Sequence, residues 1–562
     1  MDYVGHFCAK DCPDTCGFKA KVEDGELFVE PSVDWGFLDK PFVCRKLKFF
    51  FEREAKSGAF SFVNGKKASD GTVMDEIARL LKGSKDKRIL YYRGSGNLGY
   101  SMFGWDILMS QFDNVYFVDG SPCDETGIEA HIEDFGVCKN PDIEELERAE
   151  TIIIFGKNAF VCSPHLYAVL KKLRDSKPII YIDPVRTKTS SLAHEYFQIN
   201  PGMDGVLANA LLNFLAGERL LTNDPAHLTG LSEEEIEFLA DSIKSGGTAF
   251  IEGYGLQRYR NGKNTIKWLN KLAYETGNID KLFYSRSSKE GLKKPEIDIK
   301  NRVFISDVST LLEQGFFDMI FIVASNPVMS LPDSHIWAKS IKDKTAVVID
   351  TNFTQSSENA DYFLKVGGMF ASKDVQGSYF FNKLFSKKPV LGGLSDLDAA
   401  KEIGKRLGVS VELTLDCVPR VQVPERVYRE RALDLSLPDE NLRDVRFITL
   451  PHPSYLNSQT EQVNSEQIYI SNEIASLCGI VDGDSVWVDN GGRKALFKCR
   501  VSNMVKGRVA FSYKGRYDKV NFIIDSKPTD TKRGIAYNET FLTLKKKERG
   551  LDPYPFISTQ QF

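Results

Sequence analysis

No stretch of this chain has the roughly 20 consecutive apolar residues that a membrane-crossing helix needs. An excess of one charge is missing too: 73 basic against 77 acidic side chains leave a net charge of −4. Neither nucleic acid nor an anionic membrane surface is therefore expected as a partner. Low-complexity segments and short tandem repeats are absent. The first residues, Met1-Asp-Tyr-Val-Gly-His, lack the basic-plus-apolar pattern of a secretory signal and the twin arginine of an export signal. The expectation is a cytoplasmic protein whose ten cysteines are reduced, metal-bound or buried rather than cross-linked. What the chain has is length. Its 562 residues exceed one ordinary core, so several domains are expected.

Three cysteines share one short stretch, Cys8-Ala-Lys-Asp-Cys12-Pro-Asp-Thr-Cys16-Gly17, and a fourth follows in Phe42-Val-Cys44-Arg45-Lys46. Thiolate is a soft ligand, and four of them select zinc or an iron–sulfur cluster. The spacing leaves both open. Cys138, Cys162, Cys417, Cys478 and Cys499 read as small buried hydrophobes.

After Cys44, Lys46 to Arg53 forms a short helix, and Thr72 to Lys82 has helical periodicity with Asp70 as its cap. Strands then alternate with helices. Arg88-Ile-Leu-Tyr-Tyr, Asn114-Val-Tyr-Phe-Val, Thr151-Ile-Ile-Ile-Phe and Pro178-Ile-Ile-Tyr-Ile make one α/β block. Thr248-Ala-Phe-Ile, Asp318-Met-Ile-Phe-Ile-Val and Thr345-Ala-Val-Val-Ile make a second. Such alternation predicts parallel sheets with crossover helices. Prolines 419, 424 and 438 interrupt the pattern as a linker, and the remainder has the short strands and Gly-rich turns of a small closed barrel.

Polar turns at the carboxyl ends of parallel strands are where phosphate and ribose bind. Gly94-Ser-Gly96-Asn97-Leu-Gly99 fits the dinucleotide fingerprint, with Asp119 about 20 residues on where that fingerprint places its ribose acid. Gly156-Lys-Asn158, Asp183-Pro184, Pro201-Gly-Met-Asp204 and Ser325-Asn326-Pro327 are similar strand-end elements. Each alone is ordinary turn chemistry. Together they predict a large phosphate-bearing cofactor spread over two half-domains. Cys123, past another strand end, is either a packing residue or a thiolate ligand to a second metal.

Taken together, these residues resemble the molybdopterin oxidoreductases of the dimethyl-sulfoxide-reductase type, over essentially the full length. The resemblance implies a bis-molybdopterin guanine dinucleotide cofactor carrying molybdenum or tungsten, and a 4Fe–4S cluster on Cys8, Cys12, Cys16 and Cys44. It makes Cys123 the ligand of the heavier metal, with Ser121 and Asp124 as neighbours able to replace it. It makes Lys46 the lysine between cluster and pterin. Gly94, Gly96, Asn97, Gly156, Asn158, Asp183, Pro184, Thr187, Asp204, Ser325, Asn326 and Pro327 become cofactor-binding turns. His452, Asn457, Ser458 and Asn521 then belong to a cofactor-capping barrel. His131 has no role assigned by the resemblance; it either serves the site or packs a helix.

The implied architecture is α/β: an iron–sulfur domain over 1–55 and an interleaved pair of doubly wound domains. One takes 56–120 with 300–415, the other 121–299 in Rossmann-like form. A linker over 416–444 and a C-terminal β-barrel over 445–562 complete it. The implied function is two-electron oxo-transfer or dehydrogenation of a small molecule, with electrons passed to a partner protein and no membrane span. The alternatives on this scaffold are a non-redox hydratase and an electron-transfer subunit without molybdenum.

Overall fold

The computed structural model describes residues 2–31, 38, 40–217, 224–284, 291–439, 444–459, 467–514 and 519–548. Residues 440–443 of the expected linker and 549–562 of the expected barrel lie outside them. The fold is mixed α/β with a closed six-stranded barrel at the C-terminal end. Among the described residues no helix is long and apolar enough to cross a membrane.

The larger sheet has eight strands. From one edge they are Asn301–Phe304, Val115–Asp119, Ile89–Arg93, Met319–Val323, Thr345–Asp350, Tyr362–Lys365, Phe62–Val63 and Lys66–Lys67. The first six run parallel, and the last two form an antiparallel hairpin at the edge. Met319–Val323 is buried along its whole length, which is why it reads as an uninterrupted apolar run rather than an alternating one. Strands before residue 120 thus interleave with strands after residue 300.

The smaller sheet has five parallel strands in the order Glu195–Phe197, Ile179–Ile182, Thr151–Phe155, Thr248–Glu252 and Leu282–Phe283. Each sheet has a point where the strand order reverses direction. In the larger it lies between Ile89–Arg93 and Met319–Val323, in the smaller between Thr151–Phe155 and Thr248–Glu252. Such reversals open a crevice at the carboxyl ends of the strands.

A small antiparallel sheet precedes both, built from Val4–Phe7, Gly17–Glu23 and Glu26–Glu30. Its first loop carries Cys8, Cys12 and Cys16, and Cys8 N donates to Cys16 O at 2.8 Å to close it. The helix Lys46–Ala55 follows Cys44. The next helix spans Asp70–Lys82, and its N-cap is Ser69, whose hydroxyl accepts from Thr72 N at 3.1 Å. This corrects the expectation of Asp70, which lies one residue inside the helix and accepts from the Ser61 hydroxyl instead.

Residues 416–439 contain no helix or strand, yet they are tied down. Arg429 N donates to Asp134 O, and Arg426 to the carbonyls of Leu282 and Ile279, so the segment is a strap along the smaller α/β unit. The barrel strands run Val445–Leu450, Val509–Tyr513, Gln467–Ile470, Lys494–Val501, Ser485–Asp489 and Thr540–Lys546 around the closed ring. The barrel sits against both α/β units. Asn521 donates to Met329 O at 2.7 Å, Tyr537 to Ser330 O at 3.1 Å, and Asn538 N to Arg258 O at 2.9 Å.

Arg493 of the barrel pairs with Asp333 of the larger α/β unit and with Asp525, its side chain only 15% exposed. Truncating one member of a buried pair strands the other charge. Arg493→Ala is therefore expected to destabilise barrel docking by about 3 kcal/mol, the lower end for such pairs. The expected sign is earlier proteolytic release of the barrel in a limited digest. An unchanged digest would remove this pair from the docking account.

Candidate functional site

Each reversal point carries a cavity. The first is lined by Gly94, Ser95, Gly96 and Asn97 from one strand end and by Ala324, Ser325 and Asn326 from its neighbour. Gly94 N donates to Val323 O and Gly96 N to Ala324 O, both at 2.9 Å. The two turns touch so closely that a Cβ on Gly96 would lie 2.6 Å from the Ala324 carbonyl oxygen. Asn97 caps its own turn by accepting from Gly99 N at 3.0 Å. Asn326 is held by Gln355 and by Ser356.

The second cavity repeats the arrangement on the smaller sheet. Gly156, Lys157 and Asn158 face Tyr254, Gly255 and Arg258 across it, with Asp183, Pro184 and Asp204 further along and Thr449 of the barrel above. A Cβ on Gly253 would stand 2.0 Å from the Gly156 oxygen, so only glycine lets these strand ends meet. Asp183 accepts from Tyr181 Oη at 2.7 Å and Val185 N at 2.8 Å. Burial pushes its carboxyl up to about 6 against those bonds. Burial and the neighbouring Asp183 push Asp204 up to about 7.

Three buried atoms of this wall, Asp204 Oδ1, Arg258 Nε and Thr449 Oγ1, have no hydrogen-bond partner among the described residues. A buried polar atom normally has one. The wall therefore fits a ligand that brings both donors and acceptors, as a guanine nucleotide does.

The two cavities share Asp11, Cys123 and Asn457. Cys123 lies between the strand Val115–Asp119 and the helix Glu125–Phe135. Its amide donates to Ser121 Oγ at 3.1 Å, and its carbonyl accepts from Gln257 Nε2 at 2.7 Å. Burial, then Asp11, raise the thiol to about 11, while Arg258 and Lys514 act in the opposite direction. Burial holds Asp11 up at about 6. Ser121 lines only the first cavity and Asp124 neither; the Asp124 carbonyl accepts from Tyr284 Oη at 3.1 Å.

Beside this junction the four sequence-predicted thiols converge. Cys16 donates a hydrogen bond to Cys44, which with the Lys46 amide brings Cys44 down to about 6 despite its burial. Burial and Cys44 push Cys8 up to about 12, and burial, Asp14 and Cys44 raise Cys12. Among the described residues no three His, Cys, Asp or Glu side chains are set to hold a single metal ion. Lys46 lines the second cavity and donates to Val161 O at 3.4 Å.

Several expected residues stand back from the cavities. Thr187 braces Asp183 through Tyr181, its hydroxyl 2.9 Å from Tyr181 Oη. Pro327 begins the short helix Pro327–Ser330. His452 stacks on Tyr455 with ring centroids 4.2 Å apart, and it is Tyr455 that lines the second cavity. Asn521 serves the barrel contact already described, whereas Asn457 and Ser458 line the first cavity. Asp119 corrects the fingerprint reading: it pairs with Arg533 at 2.9 Å and lines neither cavity. His131 packs its helix, paired with buried Glu252 at 3.1 Å and pushed down to about 3 by burial and Arg426.

Sequence reasoning missed Asp11, Lys157 and Arg258. Asp11 sits inside the cysteine motif, and Lys157 inside the Gly156 triplet, so both were in view but carried no spacing rule of their own. Lys157 is only 3% exposed, between the rings of Tyr254 and Phe380. Arg258 follows the Gly253-Tyr-Gly255 turn.

A family profile described as molybdopterin oxidoreductase matches residues 66–364, and one described as molybdopterin dinucleotide binding domain matches residues 445–541. A probable oxidoreductase of Bacillus subtilis, YyaE, is 24% identical over 457 residues, covering 71% of this chain and 68% of that protein. An assimilatory nitrate reductase of Haloferax mediterranei is 22% identical over 302 residues, 44% of this chain and 42% of that protein. A formate dehydrogenase alpha subunit of Methanocaldococcus jannaschii is 29% identical over 164 residues, 25% of this chain and 24% of that one. The solved acetylene hydratase of Pelobacter acetylenicus shares the fold. Its TM-score is 0.76 at 13% identity, covering 97% of this chain and 100% of that one.

The pH dependence of the ligand-free protein tests the second cavity. Asp204 has a folded value near 7 against the ordinary 3.8, so the native state binds its proton more tightly than the unfolded chain. That contribution is complete below about pH 4 and is lost as pH rises through about 7. Asp204→Asn is expected to remove a stability loss on the order of a few kcal/mol across this window. Parallel denaturation curves at pH 4 and pH 8 check it, and equal slopes in wild type and variant would contradict it.

Proposed function

We propose, from the premise that this chain belongs to the molybdopterin oxidoreductase family, that it catalyses two-electron oxidation or reduction of a small molecule where its two cavities meet. The observation that carries this reading is the sharing of Asp11, Cys123 and Asn457 by two cavities that lie at equivalent reversal points of two sheets. Two such cavities would take the two molybdopterin guanine dinucleotides. Gly94, Gly96, Asn97, Ser325, Asn326 and Ser458 would hold one. Gly156, Asn158, Asp183, Pro184 and Asp204 would hold the other, with Asp204 accepting from the guanine edge. Cys123 Sγ would ligate the molybdenum or tungsten between them. When bound, that group supplies the redox chemistry itself, oxygen-atom transfer or acceptance of a hydride equivalent.

The chain's own residues then have separable tasks. Asp11 faces Cys123 and holds or releases a proton at its carboxylate, the property a general acid or base needs. Asn457 donates to Asp11 and orients it. Cys8, Cys12, Cys16 and Cys44 would hold a 4Fe–4S cluster, a reading supported by the convergence of the four thiols. Lys46 adjoins Cys44 and lines the second cavity, so its charge would stabilise added negative charge on either side. The formate dehydrogenase relative is named as an alpha subunit, which supports an electron-accepting partner protein. Net hydration without electron transfer is the second reading, favoured by the same Asp11 carboxyl, which could protonate or activate water beside a Lewis acid.

Elemental analysis of anaerobically matured protein separates these. The expected content is about four iron and one molybdenum or tungsten per chain. Cys123→Ala is expected to lose the heavy metal and all turnover while keeping iron. Asp11→Asn is expected to keep both metals and lose roughly 10²–10⁴-fold in rate. Turnover that persists without any electron acceptor moves the assignment to a hydratase. Iron without molybdenum or tungsten sinks the enzyme reading.

A further inference from the structure

The helix Pro164–Leu173 of the smaller α/β unit starts after Ser163, whose side chain does not cap it. The acceptor comes instead from the cysteine loop. Asp14 Oδ2 takes the His165 amide at 2.7 Å, and Asp14 Oδ1 takes the Ser163 hydroxyl. Free amides at a helix start need such a partner. The His165 side chain then turns back to the same loop, its Nδ1 3.0 Å from Asp14 Oδ2. Its Nε2 donates to Phe42 O at 2.9 Å, two residues before Cys44, and its ring stacks on that of Phe42 with centroids 4.3 Å apart. His165, Asp14 and Ser163 are all fully buried.

One side chain thus holds both cysteine-bearing segments, 8–16 through Asp14 and 42–44 through Phe42. A carbonyl oxygen only accepts, so Nε2 carries a hydrogen; with Asp14 accepting at both oxygens, Nδ1 donates as well. That Nδ1 also lies 4.0 Å from Cys16 Sγ. Thr15, between Asp14 and Cys16, takes φ +53°, a region a β-branched residue occupies only where its surroundings hold it there. The bonds to Asp14 hold it on one side, and the Cys8 N to Cys16 O bond on the other.

The residues just before His165 touch the cysteine site twice more. Lys46 Nζ donates to Val161 O, and Cys12 Sγ lies 3.8 Å from Cys162 O. Cys162 N in turn donates to Asn158 O at 3.0 Å, and Asn158 lines the second cavity. A single short turn of helix, Ala159–Cys162, therefore joins the cavity wall to the bonds around Asp14.

We infer that His165 is a positioning residue of the four-thiol site: with Asp14 it clamps the two cysteine segments in one arrangement and ties that arrangement to the wall of the second cavity. The inference rests on the reading of Cys8, Cys12, Cys16 and Cys44 as cluster ligands. His165 is not a ligand itself; it acts through Asp14, through Phe42 and through the N–H beside Cys16.

The test uses matured full-length protein, wild type beside His165→Ala, His165→Asn, His165→Gln and Leu166→Ala. The asparagine amide is short enough to keep the Asp14 bond and the glutamine amide long enough to keep the Phe42 bond, so each replaces half of the clamp. Leu166, the next residue of the same helix, packs into the core of the smaller unit and measures a merely structural loss. Iron release to a chelator under anaerobic conditions is expected to be about 10–100-fold faster in His165→Ala. The asparagine and glutamine variants recover part of that loss, and Leu166→Ala stays near wild type. The midpoint potential of the cluster, followed by electron paramagnetic resonance, is expected to fall in His165→Ala, because an N–H beside a cluster sulfur stabilises the added electron.

If His165→Ala yields no matured protein, the asparagine and glutamine variants carry the same comparison. Release and potential both unchanged overturn the inference, and so does an equal effect in Leu166→Ala. Wild type that holds zinc or no metal would remove the cluster reading, and thiol alkylation then decides the clamp. Alkylation of Cys16 and Cys44 about tenfold or more faster in His165→Ala than in Leu166→Ala keeps it; equal rates overturn it.

Discussion

A side chain on Gly253 would put its Cβ 2.0 Å from the Gly156 oxygen, and one on Gly96 would lie 2.6 Å from that of Ala324. The rest of the site follows from these two backbone contacts. At each, neighbouring strand ends drawn from distant parts of the sequence close without a side chain between them. The space beyond is then lined by turns and amides. Ordering glycine costs more conformational entropy than ordering any other residue. The buried aliphatic strands on either side, such as Ile152 to Phe155 and Ile320 to Val323, offset it by apolar burial. With two such closures on two sheets, the cavities run toward each other and meet at Cys123.

The position of Cys123 is over-determined, and each restraint comes from a different element. Gln257, from the turn after Thr248–Glu252, holds its carbonyl at 2.7 Å and is itself 2.7 Å from the Tyr284 hydroxyl. Tyr284 reaches the next carbonyl, that of Asp124. From the C-terminal segment, Arg533 O accepts from Ser121 N at 3.0 Å, so close that Gly120 must lack a side chain and take φ +100°. The smaller sheet and the barrel segment therefore both fix a loop that hangs from the larger sheet. A shift of any one unit would move the sulfur relative to both cavities at once.

Much of this was legible in the sequence because the governing patterns are local. Buried parallel strands write themselves as runs such as Thr151-Ile-Ile-Ile-Phe, and Gly156-Lys-Asn158 announces a strand-end turn. What was not legible depends on distant partners. Asp119 looked like a ribose acid by spacing, but Arg533, some four hundred residues on, claims it. Asp70 was mistaken for a cap because Ser69 and Asp70 are both good N-cap residues, and only geometry separates them. Thr187 and His452 were expected at the cavity turns but touch Tyr181 and Tyr455 instead. Arg258 gave no signal because its place in the cavity wall depends on a distant partner, Asn538, whose amide its carbonyl accepts from.

The interior is also electrically unfinished in a way that a self-sufficient core would not be. Asp183 and Asp204 stand near one another in the second cavity, each raised by burial, and Arg258 and Lys157 line the same cavity. A ligand with an edge of donors and a chain of anionic groups meets both needs: donors toward Asp204, negative charge toward the cations. Every atom it satisfies, Asp204 Oδ1 and Arg258 Nε included, removes a desolvation penalty that only the native state bears. Binding such a ligand therefore adds to the stability of the native state by mass action. Stability and loading of this chain are thus linked, because Asp204 Oδ1, Arg258 Nε and Thr449 Oγ1 in the wall of the second cavity have no partner among the described residues.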